Sequence, residues 1–421
     1  MTYLITPPDQ DVKGQEINLP ASKSISNRVL LIRALAHSNA VLSNVSDCND
    51  TRVMLAALKD NPEVVDIGAA GTAMRFLTAY YALQEGETHI LTGSKRMQER
   101  PIAPLVNALR KMGAEITYEK NEGFPPLRIV GHQLKGGSIE VPGDISSQYI
   151  SALLMIAPYL SGELELTLTG NIASLPYINM TINLMNHFGA ECDWSFRNTI
   201  YCKQKPYEVK NYTVEPDWSA ASYWFEILSL SGAGAPFLKS VKLPHLSSMS
   251  MQGDREVRDL LEKGLKMVAF DDKSHLLKAN FRTPSTSLLR CDFTSIPDIA
   301  QTMVVTCCML DIPFLFYGLE SLYIKETNRI EALKNELYKL GFDLRDDGMG
   351  TLMWQRGKHR KKVKPVIKTY EDHRMAMAFA PCCMTFGEIR IANPEVVSKS
   401  YPNYWEDLKS VGFKIQEIDE E

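Results

Sequence analysis

One pattern recurs along the 421-residue chain: an amphipathic helix, a glycine and then a short strand. The glycines of the full copies are Gly113, Gly189, Gly264, Gly341 and Gly412, which are 76, 75, 77 and 71 residues apart. Each lies where a helix needs a left-handed residue before the chain turns into a strand. Self-similarity at a fixed period indicates that one structural unit is repeated. The pattern therefore predicts five similar α/β units.

A shortened sixth copy precedes these five. It begins near Val53, ends its helix near Asn61 and enters a strand at Val64. Six units can stack as a solenoid or assemble as two groups of three. The period is long for a helical solenoid, and the polar motifs differ from one unit to the next. We therefore expect two groups of three, in a chain that is too long for one ordinary core.

Composition limits the classes of function. The chain is 45% apolar and 23% charged, with a formal net charge of −4, which argues against a nucleic-acid or membrane-surface protein. The apolar runs 150–160 and 303–316 are too short or too interrupted to span a bilayer. The basic run 358–362 lacks interleaved aromatic residues, so we interpret it as a solvated hairpin and not as a nucleic-acid site.

The cysteines and the N-terminus bear on the compartment. None of the eight cysteines has C-x-x-C spacing, so neither a zinc site nor a disulfide framework is predicted. Four of them form adjacent pairs within apolar helical segments, where cysteine behaves as a small hydrophobic residue. The N-terminal residues do not have the pattern of a signal peptide. We expect a cytoplasmic protein.

Two cations and two hydroxyls lie at the start of the first predicted helix. Lys23, Ser24, Ser26 and Arg28 precede the apolar run 29–35. Unpaired backbone N–H groups and the positive end of the helix dipole already favour an anion at such a place. A serine N-cap with solvated charges is the alternative interpretation. The segment alone does not decide between the two.

Polar side chains recur at other predicted helix starts. In the small-residue turn 66–72, the amides of Gly71 and Thr72 can face an anion. The other starts carry Arg100, Ser146, Ser147, Gln148, Ser174, Tyr177, Asp298, Lys325, Glu326, Arg329, Arg374 and Lys399. A single start of this kind is typical of an ordinary helix cap. Their repetition in unit after unit favours anion binding.

One of these starts carries two cations four residues apart. The segment 325–329 opens a predicted helix in which Lys325 and Arg329 share a face, while Glu326 points about a quarter-turn away. Like charges at this spacing repel one another unless an anion lies between them. The alternative is a solvated surface arrangement.

Taken together, these segments resemble the EPSP synthase family of enolpyruvyl transferases. The resemblance covers nearly the whole chain, in the family's order, through the segments LPASKSISNR, GTAMR, RMQERPI, SSQYISALL, SLPYI, IPDIA, IKETNR, EDHRMAMA and SKSYPNYW. It implies an α/β fold of two similar domains with the active site in the cleft between them. Each domain would hold three βαβαββ units with pseudo-threefold symmetry, as an inside-out α/β barrel. The implied first domain is 21–215, on the shikimate 3-phosphate side, and the second is 1–20 with 216–421.

The resemblance also implies residue roles in the transfer of the enolpyruvyl group from phosphoenolpyruvate to the 5-hydroxyl of shikimate 3-phosphate. Asp298 would take the hydroxyl proton, and Glu326 with Lys23 would handle the proton at the methylene carbon. Shikimate 3-phosphate would contact Ser24, Arg28, Ser146, Ser147, Gln148, Ser174, Tyr177 and Lys325. Phosphoenolpyruvate would contact Lys23, Gly71, Thr72, Arg100, Arg329, Arg374 and Lys399. Neither a metal nor a cofactor is implied, and we expect a monomer that binds neither nucleic acid nor membrane.

Some positions depart from the family's pattern. Ala69 and Ser321 stand where the family often has asparagine, Asn328 replaces an acidic residue, and the first unit lacks a hairpin of about twenty residues. The nearest alternative is the sister family that transfers enolpyruvate to a UDP-amino sugar. That family has an asparagine after its early lysine and a reactive cysteine loop. Here Ser24 follows Lys23, and the loop 90–102 has no cysteine. A non-catalytic repeat scaffold would not require the polar helix starts.

Overall fold

A computed structural model describes residues 1–144, 146–232, 238–282, 287–359 and 365–419. It forms two compact units. Unit A is Ala21–Val214, and unit B is Met1–Pro20 together with Glu215–Glu421. Of the predicted hairpin over 358–362, residues 360–362 lie outside the described residues.

The described residues contain 22 strands. In chain order they are β1 (Thr2–Thr6), β2 (Val12–Glu16), β3 (Leu42–Ser43), β4 (Val64–Asp66), β5 (Thr88–Thr92), β6 (Glu115–Tyr118), β7 (Leu127–Val130), β8 (Lys135–Pro142), β9 (Ser161–Thr169), β10 (Cys192–Phe196), β11 (Thr199–Cys202), β12 (Tyr212–Thr213), β13 (Leu238–Lys242), β14 (Val268–Asp271), β15 (Leu276–Ala279), β16 (Leu289–Asp292), β17 (Phe314–Tyr317), β18 (Arg345–Asp346), β19 (Leu352–Trp354), β20 (Val366–Ile367), β21 (Ile389–Ala392) and β22 (Lys414–Ile418).

The α-helices are α1 (Lys23–Leu35), α2 (Asn49–Asp60), α3 (Gly71–Ala82), α4 (Ala103–Lys111), α5 (Ser147–Ile156), α6 (Leu175–His187), α7 (Trp218–Gly232), α8 (Glu256–Arg258), α9 (Ala300–Met309), α10 (Arg329–Lys339), α11 (His373–Phe379), α12 (Cys383–Phe386) and α13 (Tyr404–Ser410). Every residue of α3, α9 and α11 is buried, as expected of central helices that are covered on all sides. None of the helices in the described part of the chain combines the length and hydropathy needed to cross a membrane.

Five of the six sheets in the described part of the chain share one topology. Their strand orders are β4-β5-β7-β6 and β8-β9-β11-β10 in unit A, and β2-β13-β15-β14, β16-β17-β19-β18 and β20-β21-β1-β22 in unit B. In each sheet the first two strands are parallel, and the third and fourth pair antiparallel. The repeat is therefore one βαβαββ-type unit, as the family resemblance implies.

The sixth sheet is the shortened copy. It contains β12 and β3 alone among the described residues, and the two are parallel, like the first two strands of the other sheets. Helix α2 ends in the left-handed Asn61, and β4 begins three residues later at Val64. The hairpin that supplies the third and fourth strands elsewhere is absent from this place.

The repeated glycines have the predicted backbone conformation in four of five copies. The φ angles of Gly113, Gly189, Gly341 and Gly412 lie between 89° and 100°. The prediction is wrong at Gly264, which ends a π-helical turn. The left-handed residue of that copy is Lys266, two positions later, because the wider turn delays the exit into β14.

One prediction about cysteine is also wrong. Cys192 and Cys202 are direct partners in the antiparallel register of β10 and β11, and they form a disulfide. Pairing across a tight hairpin brings together side chains ten residues apart, which the absence of C-x-x-C spacing did not indicate. The other six cysteines are free and buried.

Candidate active site

Arg28, the sixth residue of α1, has a buried guanidinium group. Arg28 Nε donates to Thr181 Oγ1 at 2.7 Å, and its NH2 group donates to Ser151 Oγ at 3.0 Å. NH1 donates to the carbonyl of Ser24 at 2.8 Å, and NH2 also reaches the carbonyl of Tyr177 at 3.4 Å. We call these five residues the hydroxyl cluster: Ser24, Arg28, Ser151, Tyr177 and Thr181.

Arg28 has hydroxyl and carbonyl partners in place of a counter-ion. No carboxylate of the described residues forms an ion pair with it, although only 2% of the residue is exposed. Burial lowers its pKa to about 10, so it remains protonated at neutral pH. A buried cation that lacks a protein anion is costly, and a bound carboxylate would offset that cost.

Two further serines at the start of α1 have structural contacts. Ser22 Oγ accepts from the amide of Ile25 and caps the helix, and Ser26 Oγ accepts from the amide of Ser46 at 2.9 Å. Lys23 instead forms an ion pair with Asp50 at 3.4 Å and is 17% exposed. The N-cap interpretation therefore holds for Ser22, and Lys23 lies at a partly open position.

The small-residue turn before α3 lies against Arg100. A Cβ built on Gly71 would come within 2.7 Å of Arg100 NH1, so only glycine allows this approach. Thr72 Oγ1 accepts from Gln148 Nε2 at 3.2 Å, which links α3 to the start of α5. Arg75, from the same motif, donates to the carbonyls of Gly71 and Pro101. The structure thus brings Gly71, Thr72, Arg100 and Gln148 together.

The serines at the starts of α5 and α6 differ in their conformation. Ser146 caps α5 by accepting from the amide of Gln148 at 3.3 Å, whereas Ser147 is the first residue of the helix and is buried. Ser174 precedes α6 with φ 55° and forms no side-chain cap bond, so its hydroxyl does not serve the helix. Tyr177 lies in the first turn of α6 and accepts from Thr181 through its carbonyl.

In unit B a second buried guanidinium has three carboxylate partners. Arg329 Nε donates to Asp372 Oδ2 at 2.7 Å. Its NH1 donates to Asp298 Oδ1 and its NH2 to Glu326 Oε2, both at 2.9 Å. With the neighbouring cations these residues form what we call the carboxylate cluster: Asp298, Lys325, Glu326, Arg329, Asp372, Arg374 and Lys399.

Asp298 lies against three cations of this cluster. Its Oδ2 lies 3.1 Å from Arg374 NH2, and its Oδ1 lies 2.9 Å from Arg329 NH1 and 3.6 Å from Lys325 Nζ. Burial by itself would raise the pKa of Asp298, but these three cations outweigh burial and hold the pKa well below its ordinary value. Asp298 is therefore a carboxylate in this state.

Glu326 occupies a different electrostatic position. Its Oε2 shares Arg329 with Asp298, whereas its Oε1 lies 3.5 Å from Lys399 Nζ. The two acids thus share Arg329, and Asp298 also contacts Lys325 and Arg374, whereas Glu326 also contacts Lys399. Unequal surroundings of this kind allow two carboxyl groups to take different protonation roles.

The predicted helix over 325–329 is wrong at its start. Helix α10 begins at Arg329 with Asn328 as its N-cap, and Lys325 lies before it in extended backbone. Lys325 and Arg329 do not share a helix face. They approach one another through Asp298 Oδ1, which both contact. The asparagine side chain accepts from the amide of Glu331, and this capping bond ends the turn and starts the helix.

Sequence reasoning missed three residues of this region. Asp372 is fully buried, caps α11 and holds Arg329. Ser219 Oγ lies 3.4 Å from Arg374 NH2 and donates to buried Asp254. The first could have been found as an acid before a predicted helix. The other two lie in the segments EPDWSAASYW and SMSMQGDR, whose chemistry becomes visible only once they are folded together.

No three side chains of His, Cys, Asp or Glu are grouped as metal ligands among the described residues. The chemistry of the site as described is that of paired acids and cations, hydroxyl groups and backbone amides.

Comparison with known proteins identifies the class. The profile of the EPSP synthase (3-phosphoshikimate 1-carboxyvinyltransferase) family matches residues 7–61 and 58–408. The chain belongs to this family, as the motif resemblance predicts. Structures of EPSP synthase from Acinetobacter baumannii have the same fold. One of them aligns with a TM-score of 0.75 at 20% identity, over 99% of this chain and 100% of the other.

Relatives with higher sequence identity carry the same name. A 3-phosphoshikimate 1-carboxyvinyltransferase of Bacteroides fragilis (strain YCH46) is 51% identical over 416 residues, covering 99% of both chains. One of a Sulfurovum species is 36% identical over 440 residues, covering 98% of this chain and 99% of the relative. The second alignment is longer than the 421-residue chain, so that relative has residues that this chain lacks.

Proposed function

We propose that this protein transfers the enolpyruvyl group of phosphoenolpyruvate to the 5-hydroxyl of shikimate 3-phosphate and releases phosphate, a step of aromatic amino acid biosynthesis. The observation that carries the assignment to this site is the carboxylate cluster. Asp298 and Glu326 lie there in unequal surroundings beside several cations, which supports the proposal of a base and an acid for this transfer.

The bonding changes set the order of proton transfers. The 5-hydroxyl oxygen bonds to C2 of phosphoenolpyruvate and loses its proton, while the methylene carbon gains one. The C2–O bond to phosphate then breaks, and the methyl carbon formed in the first step loses a proton, because the product retains a C=CH2 group. The protein must therefore supply a base at the hydroxyl and a reversible acid at the methylene carbon.

Asp298 is proposed as the base. In the unliganded state its cations make it a weak one, because they stabilise the carboxylate. Anionic substrates would share Lys325 and Arg374 with it, and this would raise the pKa of Asp298 toward the working pH. Asp298 would thus become a competent base when the substrates are bound.

Glu326 with Lys23 is proposed to handle the methylene proton. The contact of Glu326 with Lys399 supports this role, since that lysine is also proposed to bind phosphoenolpyruvate and would hold the reacting carbon near the acid. Lys23 belongs to unit A and forms an ion pair with Asp50.

Shikimate 3-phosphate is proposed to bind mainly to unit A. Arg28 and Ser24 would hold its carboxylate, and the lack of a protein counter-ion for Arg28 supports that assignment. The hydroxyls of Ser146, Ser147 and Ser174 would hold its phosphate near two helix N-termini. Gln148 and Tyr177 would shape the ring site, and Lys325 of unit B would reach the ligand.

Phosphoenolpyruvate is proposed to contact cations of both units. The contacts are Lys23, Arg100 and the amides of Gly71 and Thr72 in unit A, with Arg329, Arg374 and Lys399 in unit B. Three of the five N–H groups of Arg329 already donate to carboxylates. It would therefore serve the ligand mainly through its remaining two N–H groups and its charge. Together the cations would stabilise phosphate as it leaves.

A phosphate-release assay tests the proposal. With phosphoenolpyruvate as donor, shikimate 3-phosphate should support turnover, and a UDP-amino sugar at the same concentration should not. Turnover with the sugar, or with neither acceptor, would contradict the proposed function.

We also propose a cytoplasmic monomer that binds neither nucleic acid nor membrane, in keeping with the net charge of −4. Light scattering should give the mass of one chain, 47.3 kDa. Glyphosate should compete with phosphoenolpyruvate, because Gly71 would leave room for it in the proposed phosphoenolpyruvate site where an alanine would not. Non-competitive inhibition would contradict that assignment.

A further inference from the structure

Asp254 is a buried acid beside the carboxylate cluster. It lies in a 3-10 helix, Gly253–Arg255, and only 2% of the residue is exposed. Its Oδ2 accepts a hydrogen bond from Ser219 Oγ, near the start of α7. None of the roles proposed above uses this acid.

A short series of contacts leads from Asp254 to the proposed base. The Ser219 hydroxyl that donates to Asp254 also accepts from Arg374 NH2 at 3.4 Å. The same NH2 group lies 3.1 Å from Asp298 Oδ2. Arg374 is therefore held on one side by Asp298 and on the other by Ser219, whose hydroxyl is oriented by Asp254.

The segment that carries Asp254 is fixed to the start of α7. Gln252 Oε1 accepts from the amide of Trp218 at 3.0 Å, and its Nε2 donates to the carbonyl of Pro216 at 2.8 Å. Glu215 Oε1 accepts from both Gln252 Nε2 and Ser250 Oγ. These bonds place Asp254 next to Ser219 before any ligand binds, which is how supporting residues keep a reactive group in position.

The charges around Asp254 couple it to the base. Burial first, and then the charge of Asp298, raises the pKa of Asp254 to about 6, and Asp217 acts in the same direction. Arg374 and the hydrogen bond from Ser219 oppose the rise. Interaction between two titrating groups is mutual, so an ionised Asp254 also raises the proton affinity of Asp298.

We propose that Asp254 is a positioning residue for the transfer reaction, which holds Arg374 through Ser219 and, by its negative charge, makes Asp298 a stronger base. The inference rests on the proposed function, because it needs Asp298 as the base. Asp254 itself touches no reacting atom.

The sign of the pH effect follows from the ionised form. Above a pH of about 6 Asp254 is charged, so Arg374 is held and Asp298 keeps its higher basicity. As the pH falls through about 6, Asp254 takes up a proton and both effects are lost. Substrate phosphates also titrate near pH 6, so a wild-type profile alone does not isolate Asp254.

The test compares kcat for phosphate release in the wild type and Asp254→Asn from pH 5 to pH 8, with thermal unfolding to verify folding. The ratio of the wild-type to the variant kcat should be close to one at the acidic end. It should rise severalfold above neutrality, because the variant lacks the negative charge that makes Asp298 a stronger base. Titration of the substrates cancels in this ratio.

The matched control is Asp272→Asn, another acid that accepts from a serine hydroxyl, that of Ser248, at 2.7 Å. Its ratio should stay near one throughout.

Ser219→Ala keeps the charge of Asp254 but removes the hydrogen bond that lowers its pKa. In the plot of kcat against pH, the acidic limb of this variant should therefore lie at higher pH than that of the wild type. A ratio for Asp254→Asn that is constant with pH, or an unmoved limb in Ser219→Ala, would overturn the inference while leaving the proposed function intact. No phosphate release by the wild type would overturn both.

Discussion

Two buried arginines among the candidate site residues, one in each unit, have opposite kinds of partner. Arg28 in unit A is surrounded by hydroxyls and carbonyls, whereas Arg329 in unit B donates to three carboxylates. Burial lowers the pKa of Arg28. Burial also acts to lower the pKa of Arg329, but Asp372, Glu326 and Asp298 outweigh it and raise that pKa.

We propose that this difference separates substrate binding from proton transfer. The hydroxyl cluster has a cation whose charge is available to an incoming anion, so it is suited to hold a substrate carboxylate. In the carboxylate cluster three carboxylates lie against four cations, so we propose that its additional task is to keep two acids at fixed places in unequal surroundings. Arg28 has no carboxylate partner and Arg329 has three, and the following predictions use that contrast.

The largest effect is expected at Asp298. Asp298→Asn removes the proposed base but keeps the volume, so kcat should fall by about 10²–10⁴-fold. Binding of shikimate 3-phosphate, measured by calorimetry, should change little, because the ligand is assigned mainly to unit A. Asp272→Asn, at another acid of unit B, is the matched control. A variant at Asp298 that keeps most of its kcat would show that the base is another group.

Smaller effects, which differ between two variants, are expected on the free energy of unfolding. Arg329→Met leaves three carboxylates without their shared cation and should lower the free energy of unfolding by about 3–5 kcal/mol. Arg28→Met removes a buried charge that has no protein anion and should be neutral or stabilising. The hydroxyls of Ser151 and Thr181 already bond to one another at 2.8 Å, so they keep partners after the change.

Chemical denaturation of the two methionine variants measures this contrast. Equal losses of stability in both would show that the partners of the two guanidinium groups do not matter, and would break the comparison.

The smallest effect is expected at Gly71. In Gly71→Ala the new methyl group would overlap Arg100 NH1, and the flexible arginine must move. Displacing one side chain from its preferred rotamer costs about 1 kcal/mol, so KM for phosphoenolpyruvate should rise about fivefold with kcat nearly unchanged. Steady-state kinetics with Ala73→Gly as a control for helix α3 checks this. An unchanged KM would place Arg100 outside the substrate site.

Sequence reasoning reached the fold because the repeat is local. The helix, the left-handed residue and the strand of each copy are adjacent in the chain, so period and glycine position predict them. The prediction was wrong at Gly264, because a π-helical turn depends on packing that local sequence does not specify. The Cys192–Cys202 disulfide depends on strand register and was missed for the same kind of reason.

The candidate site was predictable in its residue types but not in its pairing. Arg28 and Arg329 both read as cations at helix starts, and nothing local distinguishes hydroxyl partners from carboxylate partners. Thr181, which lies 153 residues from Arg28, and Asp372, which lies 43 residues from Arg329, become neighbours only in the fold. The role of Asp254 could not be predicted from the sequence, because it depends on the contacts among Asp254, Ser219 and Arg374, which are far apart along the chain.

The separation of binding from proton transfer is tested most directly by measuring two quantities in two variants. Calorimetry gives the Kd for shikimate 3-phosphate, and phosphate release at saturating substrates gives kcat. Arg28→Met should weaken the Kd by about 10–10²-fold, the loss expected for hydrogen bonds to a charged group, while kcat at saturation stays near the wild-type value. Asp298→Asn should show the reverse, a nearly unchanged Kd with a strongly reduced kcat. If both variants change the same quantity, the two clusters do not divide the work, and the account is wrong.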